Sequence, residues 1–237
     1  AASTSASMIQ GKTGRLRVSV GGRPILYYQM DRDAVPREDI DPKWRRAGYL
    51  HPVLTPTGFA VTEGFAASAA PNGPVHPGIF TSGPLTGRDD RRLYDFVASG
   101  KEVAALEFGG VDNTWSGPVH GGFTGWERWV ANQGSDTVLM NESWELTAYA
   151  VPNSLGEIHL FDLVITRTNA TATAINWDSQ GLGVTGAPDW RKPDPSAALP
   201  NPVFTDGAGL DEPVRWIGLT GNGKDRPGSR HPYRISW

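Results

Sequence analysis

Polar and apolar residues alternate along much of this chain with the two-residue period of a half-buried strand. In Arg15-Leu-Arg-Val-Ser-Val20 the polar side chains at 15, 17 and 19 interleave with Leu16, Val18 and Val20. A turn at Gly21-Gly22 then leads into a second apolar run, so residues 15–30 predict a hairpin. The clearest alternation lies between 137 and 151. There Trp144, Leu146, Ala148 and Ala150 fall on one face, and Ser143, Glu145, Thr147 and Tyr149 on the other. Residues 157–168 continue the pattern after the turn-forming Pro152-Asn-Ser-Leu-Gly156, which predicts two long paired strands. Shorter strands are predicted over 48–58, 103–108, 173–177, 214–219 and 230–237. His159 shares a face with Phe161 and Leu163 and is expected to be packed.

The intervening segments carry no apolar period. Residues 31–47 and 65–75 are read as loops, and the charged cluster Arg88-Asp-Asp-Arg-Arg92 within 81–100 as a solvated loop face. Residues 187–213, with six prolines, are read as a surface excursion. There is no internal repeat. The expected architecture is all-β: one β-sandwich or supersandwich domain over 15–237 with long loops, preceded by a flexible segment over 1–14.

Composition narrows the classes. The 29 glycines and 19 prolines punctuate many short strands and disfavour long helices. A net charge of −3 without a basic stripe gives no groove for nucleic acid. No apolar run approaches the ~20 residues of a membrane-spanning helix. The chain has no cysteine, which removes disulfides and thiolate metal sites. The small, polar Ala-Ala-Ser-Thr-Ser-Ala-Ser at the start resembles a mature end after leader removal, and a secreted or periplasmic location is expected.

Candidate chemistry concentrates in Trp115-Ser-Gly-Pro-Val-His120-Gly-Gly-Phe-Thr-Gly-Trp126-Glu-Arg-Trp129. Its four glycines argue against a helix, at about 1 kcal/mol each relative to alanine. Flat aromatic faces beside fixed polar groups suit a sugar, whose ring offers apolar C–H faces and a rim of hydroxyls. Trp115, Trp126 and Trp129 are therefore candidate stacking platforms, with Glu127 and Arg128 as groups that orient hydroxyls. Trp126 and Trp129 are three apart and face opposite sides of a strand, so one is expected outside and one in the core. Trp126, beside Gly125, is the one expected outside. Outside this stretch, His51, His76 and His231 stand with His120 in loop or strand-end positions next to glycine or proline. One of them paired with His120 would supply acid–base chemistry near neutral pH. Their spacing is no metal signature, and no cofactor motif occurs.

Several short motifs carry a resemblance. Tyr49-Leu-His-Pro-Val-Leu-Thr-Pro-Thr-Gly58, His76-Pro-Gly-Ile-Phe80, His120-Gly-Gly-Phe123 and Arg230-His231-Pro232 occur in this order. Together they resemble the mostly bacterial family labelled "methane oxygenase PmoA". Where that family has several adjacent histidines this chain keeps only His76, and where it has Glu-Gly this chain has Gln180-Gly181. A second resemblance, to galactose-mutarotase-like supersandwich proteins, rests on 120–123 and on Leu163-Val-Ile-Thr-Arg-Thr-Asn169. The motif resemblances and the aromatic stretch imply a carbohydrate-active protein that hydrolyses, eliminates from or epimerises a sugar or glycoside. His120, His51, His76, His231 and Glu127 would be its catalytic groups. Trp115, Trp126, Trp129, Arg128, Gln180 and Arg230 would contact substrate. The alternatives are a non-catalytic carbohydrate-binding module and a histidine-ligated metal enzyme.

Overall fold

The computed structural model describes residues 4–9, 14–34, 38, 40–41, 44–65, 77–82, 84–87, 93–96, 104–132, 136–151, 158–177, 181–186, 203–206, 217–223 and 231–236. Strands dominate, and no α-helix occurs among the described residues. The chain opens with β1 (Thr4–Ile9), β2 (Arg15–Val20), β3 (Arg23–Gln29), β4 (Tyr49–Val53) and β5 (Ile79–Ser82). Next come β6 (Pro84–Gly87), β7 (Leu93–Asp95), β8 (Ala104–Trp115), β9 (His120–Asn132), β10 (Asp136–Tyr149) and β11 (Leu160–Asn169). The strands described after these are β12 (Ile175–Trp177), β13 (Gly181–Val184), β14 (Val203–Asp206), β15 (Ile217–Gly223) and β16 (His231–Ser236).

Among the described residues these strands form four antiparallel sheets. A six-stranded sheet has the order β1-β2-β3-β4-β5-β13, and a four-stranded sheet the order β11-β10-β9-β8. Two three-stranded sheets have the orders β12-β6-β7 and β14-β15-β16. The six- and four-stranded sheets pack face to face as a β-sandwich. One expectation needs correction. Thr4–Ile9, expected to be flexible, pairs along its length with β2 and extends the larger sheet. Within 81–100, β6 and β7 pair as a hairpin, and the cluster expected as a loop face, 88–92, lies outside the described residues.

The alternation of β10 explains the packing. Trp144, Leu146 and Ala148 are fully buried with Phe123 against Leu16, Val18, Leu26, Tyr28 and Leu50 of the larger sheet. Each of the leucine, valine and phenylalanine side chains among them contributes about 1.5–3 kcal/mol by leaving water. The four-stranded sheet is longer than this contact. Towards the far ends of its strands Leu106, Trp129, Ala131 and Met140 form a second apolar cluster with Phe96, flanked by Tyr94 and Ile175. Its inner face thus packs against the six-stranded sheet over one half and against elements around β7 and β12 over the other. A single cross-strand row, Phe108–Glu127–Glu142–Arg167, lies at the seam.

Candidate functional site

The two faces of the four-stranded sheet carry different chemistry. On the inner face, the seam row places two carboxylates in the core. Glu127 and Glu142 are register partners, and both are fully buried. Glu142 accepts hydrogen bonds from Thr81 Oγ1 (2.7 Å) and Trp144 Nε1 (2.7 Å) and pairs with Arg167 Nε. Glu127 Oε1 accepts from Tyr28 Oη (2.9 Å), whereas Oε2 has no hydrogen-bond partner. The carboxyl fits only because Gly48, with φ at +70°, has no side chain; a Cβ there would lie 1.8 Å from Oε1. Burial, and then the charge of Glu142, push the Glu127 carboxyl up to about 8, against the opposing pull of Arg46. Arg46 is itself buried, donates from Nη1 to Thr81 O (2.7 Å), and is lowered from its ordinary value by that burial.

The outer face is exposed and polar. In β9 the outward positions are 120, 122, 124, 126 and 128, and they pair across to the outward Tyr149, Thr147, Glu145, Ser143 and Asn141 of β10. A bulge in β8 between Phe108 and Gly110 brings two glycines beneath Trp126. A Cβ on Gly109 would lie 2.1 Å from the indole Cε3 and Cζ3, and one on Gly110 3.1 Å from Nε1. The indole therefore lies across the neighbouring strand while staying partly exposed. Around it is a groove of about 490 Å³ lined by Trp126, Asp112, Arg128, Asn141, Ser143, Thr166 and Thr168, with Glu142 contributing to the floor. Arg128 is held in place by an ion pair to Glu107 (3.1 Å). At the other end of the same face Trp115 Nε1 donates to His120 Nδ1 (3.2 Å), and Tyr149 Oη donates to Asp162 Oδ2 (2.7 Å).

The residues expected to form one site separate into several places. Trp115, His120, Trp126 and Arg128 share the outer face. Trp129 is not a platform: it is fully buried, its ring 4.7 Å from that of Phe96 and beneath the Arg167 guanidinium. Glu127 points into the core and cannot orient a ligand on the outer face, because successive side chains of a strand point to opposite sides. His51 lies in β4 of the other sheet, with Nδ1 3.0 Å from Thr62 Oγ1 and Gly64 packed against its ring. Burial pushes its pKa down to about 4. His51 and His120 therefore do not converge. His231 begins β16 opposite Gly223. His76, Gln180 and Arg230 lie outside the described residues. Among the described residues no group of three His, Asp or Glu is placed to hold a metal ion.

Sequence reasoning missed Asp112, Asn141, Ser143, Thr166 and Thr168 around Trp126, and Tyr28, Arg46, Thr81 and Arg167 around the carboxylates. For the groove the signal was the alternation itself, since Ser143 sits on the face opposite Trp144. For Glu142 it was a charge on a face otherwise made of Trp144, Leu146 and Ala148.

An antiparallel β-sandwich with one open, polar sheet face carrying a seated tryptophan is the class that the fold and site define. By sequence, residues 15–230 match a family of unknown function, DUF6807, and the chain belongs to that family. No curated protein and no solved structure matches it.

Proposed function

We propose that this protein binds carbohydrate on the outer face of its four-stranded sheet, with Trp126 as the stacking platform. The observation that carries the reading is the seating of Trp126. Its indole is held across Gly109 and Gly110, partly exposed, in a groove otherwise lined by short polar side chains and one ion-paired arginine. An aromatic face takes the C–H side of a sugar ring, and Asp112, Asn141, Ser143, Thr166 and Thr168 take its hydroxyls. A few convergent polar groups around an apolar patch are what fix a small polar ligand. The backbone and the neighbouring strand hold the ring before the ligand arrives, so little ordering cost falls on binding.

Among the described residues, the expected acid–base partners His51, His120 and Glu127 do not share a face, which favours binding over turnover. His120 is on the outer side of one sheet, His51 is on the other sheet, and Glu127 is sealed in the core. A secreted or periplasmic protein would meet such ligands, so export accords with this reading. Affinity measurements on a panel of soluble saccharides and insoluble polysaccharides test it, with Trp126→Ala as the comparison. The wild type should be retained by at least one of them and the variant should not. Equal behaviour of the two proteins throughout the panel would refute the assignment.

A further inference from the structure

We infer that the ligand of this face is a linear, extended polysaccharide chain held at two aromatic stations along β9; the inference rests on the saccharide-binding function proposed above. Trp115 is the second station. It ends β8 opposite Gly122 of β9, and a Cβ on Gly122 would lie 2.7 Å from its Cζ2. Its indole thus crosses a glycine of the adjacent strand, as the Trp126 indole does at Gly109 and Gly110. The bond from Nε1 to His120 Nδ1 fixes the ring and leaves Nε2–H as the remaining donor of the neutral imidazole. The Tyr149 ring, 6.3 Å from His120, extends the aromatic surface, and Asp162 anchors its hydroxyl.

The spacing of the stations sets the size of the ligand. Gly122 and Trp126 are four residues apart, and their ladder to Thr147 and Ser143 runs without a bulge. At the usual rise of a strand the stations are about 13 Å apart. One sugar ring cannot touch both. Between them the outward positions Asn113, Thr124 and Glu145 form a polar row suited to the hydroxyls of intervening units. A chain that keeps extended along the sheet meets both stations, whereas a tightly coiled one curves away from the second. Tethering through two stations makes the second contact intramolecular, so affinity should grow with chain length.

Calorimetric titration with cellohexaose, xylohexaose, mannohexaose and chitohexaose, and with the corresponding disaccharides, separates the two claims. At least one hexaose should bind the wild type about tenfold more tightly than its disaccharide, equivalent to ~1.4 kcal/mol. Trp115→Ala should remove that gain and leave disaccharide affinity intact, while Trp115→Phe should retain most of the gain. Trp126→Ala should weaken both ligands. Unchanged melting temperatures of the Trp115 variants would confirm that the fold is intact. If disaccharides bind through Trp126 but the hexaoses gain nothing, or if Trp115→Ala leaves the gain in place, the extended-chain inference is overturned and the binding function stands. If none of these ligands binds, the extended-chain inference is overturned and the binding function is left to the wider panel; if ligands bind but Trp126→Ala changes nothing, both are overturned.

Discussion

Glu127 and Glu142 oppose each other directly across the β9–β10 ladder, with both carboxylates fully buried at the seam between the two apolar clusters. They do not share the burden equally. Glu142 collects donors from Thr81, Trp144 and Arg167, while Glu127 has the Tyr28 hydroxyl and an unpartnered Oε2. Burial beside a second carboxylate therefore falls on Glu127 and raises its pKa.

Stability should follow that shift. The folded carboxyl holds its proton up to about 8, against an ordinary 4.5. Between those values the folded state binds more protons than the unfolded, so this group lowers stability as pH rises through the window and levels off above it. Glu127→Gln, which needs no ionisation, should melt higher than the wild type at about pH 8 and alike at about pH 4. Glu142→Ala should instead lose about 3–5 kcal/mol across the range, because it strips the counter-charge from Arg167 and the acceptor from two other donors. Equal pH profiles for Glu127→Gln and wild type would contradict this account.

His51 should act in the opposite sense. Its folded pKa of about 4 lies below the ordinary 6.5. Its contribution is complete above 6.5 and is lost as pH falls towards 4, since only the unfolded state takes up the proton there. In the wild type the two slopes oppose each other across the overlap of the windows. Melting curves of Glu127→Gln should therefore show stability rising with pH over that interval, and those of His51→Gln should show it falling. A shared sign of slope in the two variants would overturn the pairing of effects.

The role of Gly109 gives a test that leaves Trp126 itself intact. A methyl group there would meet the indole at 2.1 Å, so Gly109→Ala must expel the ring from its seat. We expect a cost of about 1–3 kcal/mol in stability, as for other overpacked sites. Saccharide affinity should fall along with it. Retained affinity in a folded Gly109→Ala protein would mean that the seat is not part of the site.

The tryptophans three residues apart should part company in stability. Trp129→Ala opens a cavity beside Phe96 and should cost about 3–5 kcal/mol by chemical denaturation. Trp126→Ala, on the outer face, should cost much less. Comparable losses would place both rings in the core.

The same two residues show what could be read from the chain. Alternation assigns Trp126 and Trp129 to opposite faces without any knowledge of the partner strands, and it likewise groups Trp144, Leu146 and Ala148. The strand content and the sandwich followed from such local rules. The seam did not, because Glu127 and Glu142 are fifteen positions apart and meet only through the register of the β9–β10 hairpin. Nor does any local signal show that Gly48 and Tyr28, from the other sheet, close over Glu127. The seat of Trp126 depends on a bulge in β8, an irregularity that the period-two pattern does not contain. The histidines were grouped by residue type and neighbours, and the fold placed His51 and His120 on different sheets.

The most direct test of the binding face is fluorine NMR on protein labelled with 5-fluorotryptophan. The chain has nine tryptophans, and the resonances of Trp126, Trp129 and Trp144 can be assigned from single Trp→Phe variants. Addition of a saccharide that the protein retains should shift or broaden the Trp126 signal and leave those of the buried Trp129 and Trp144 in place. A Trp126 signal unmoved at saturating saccharide would contradict the account.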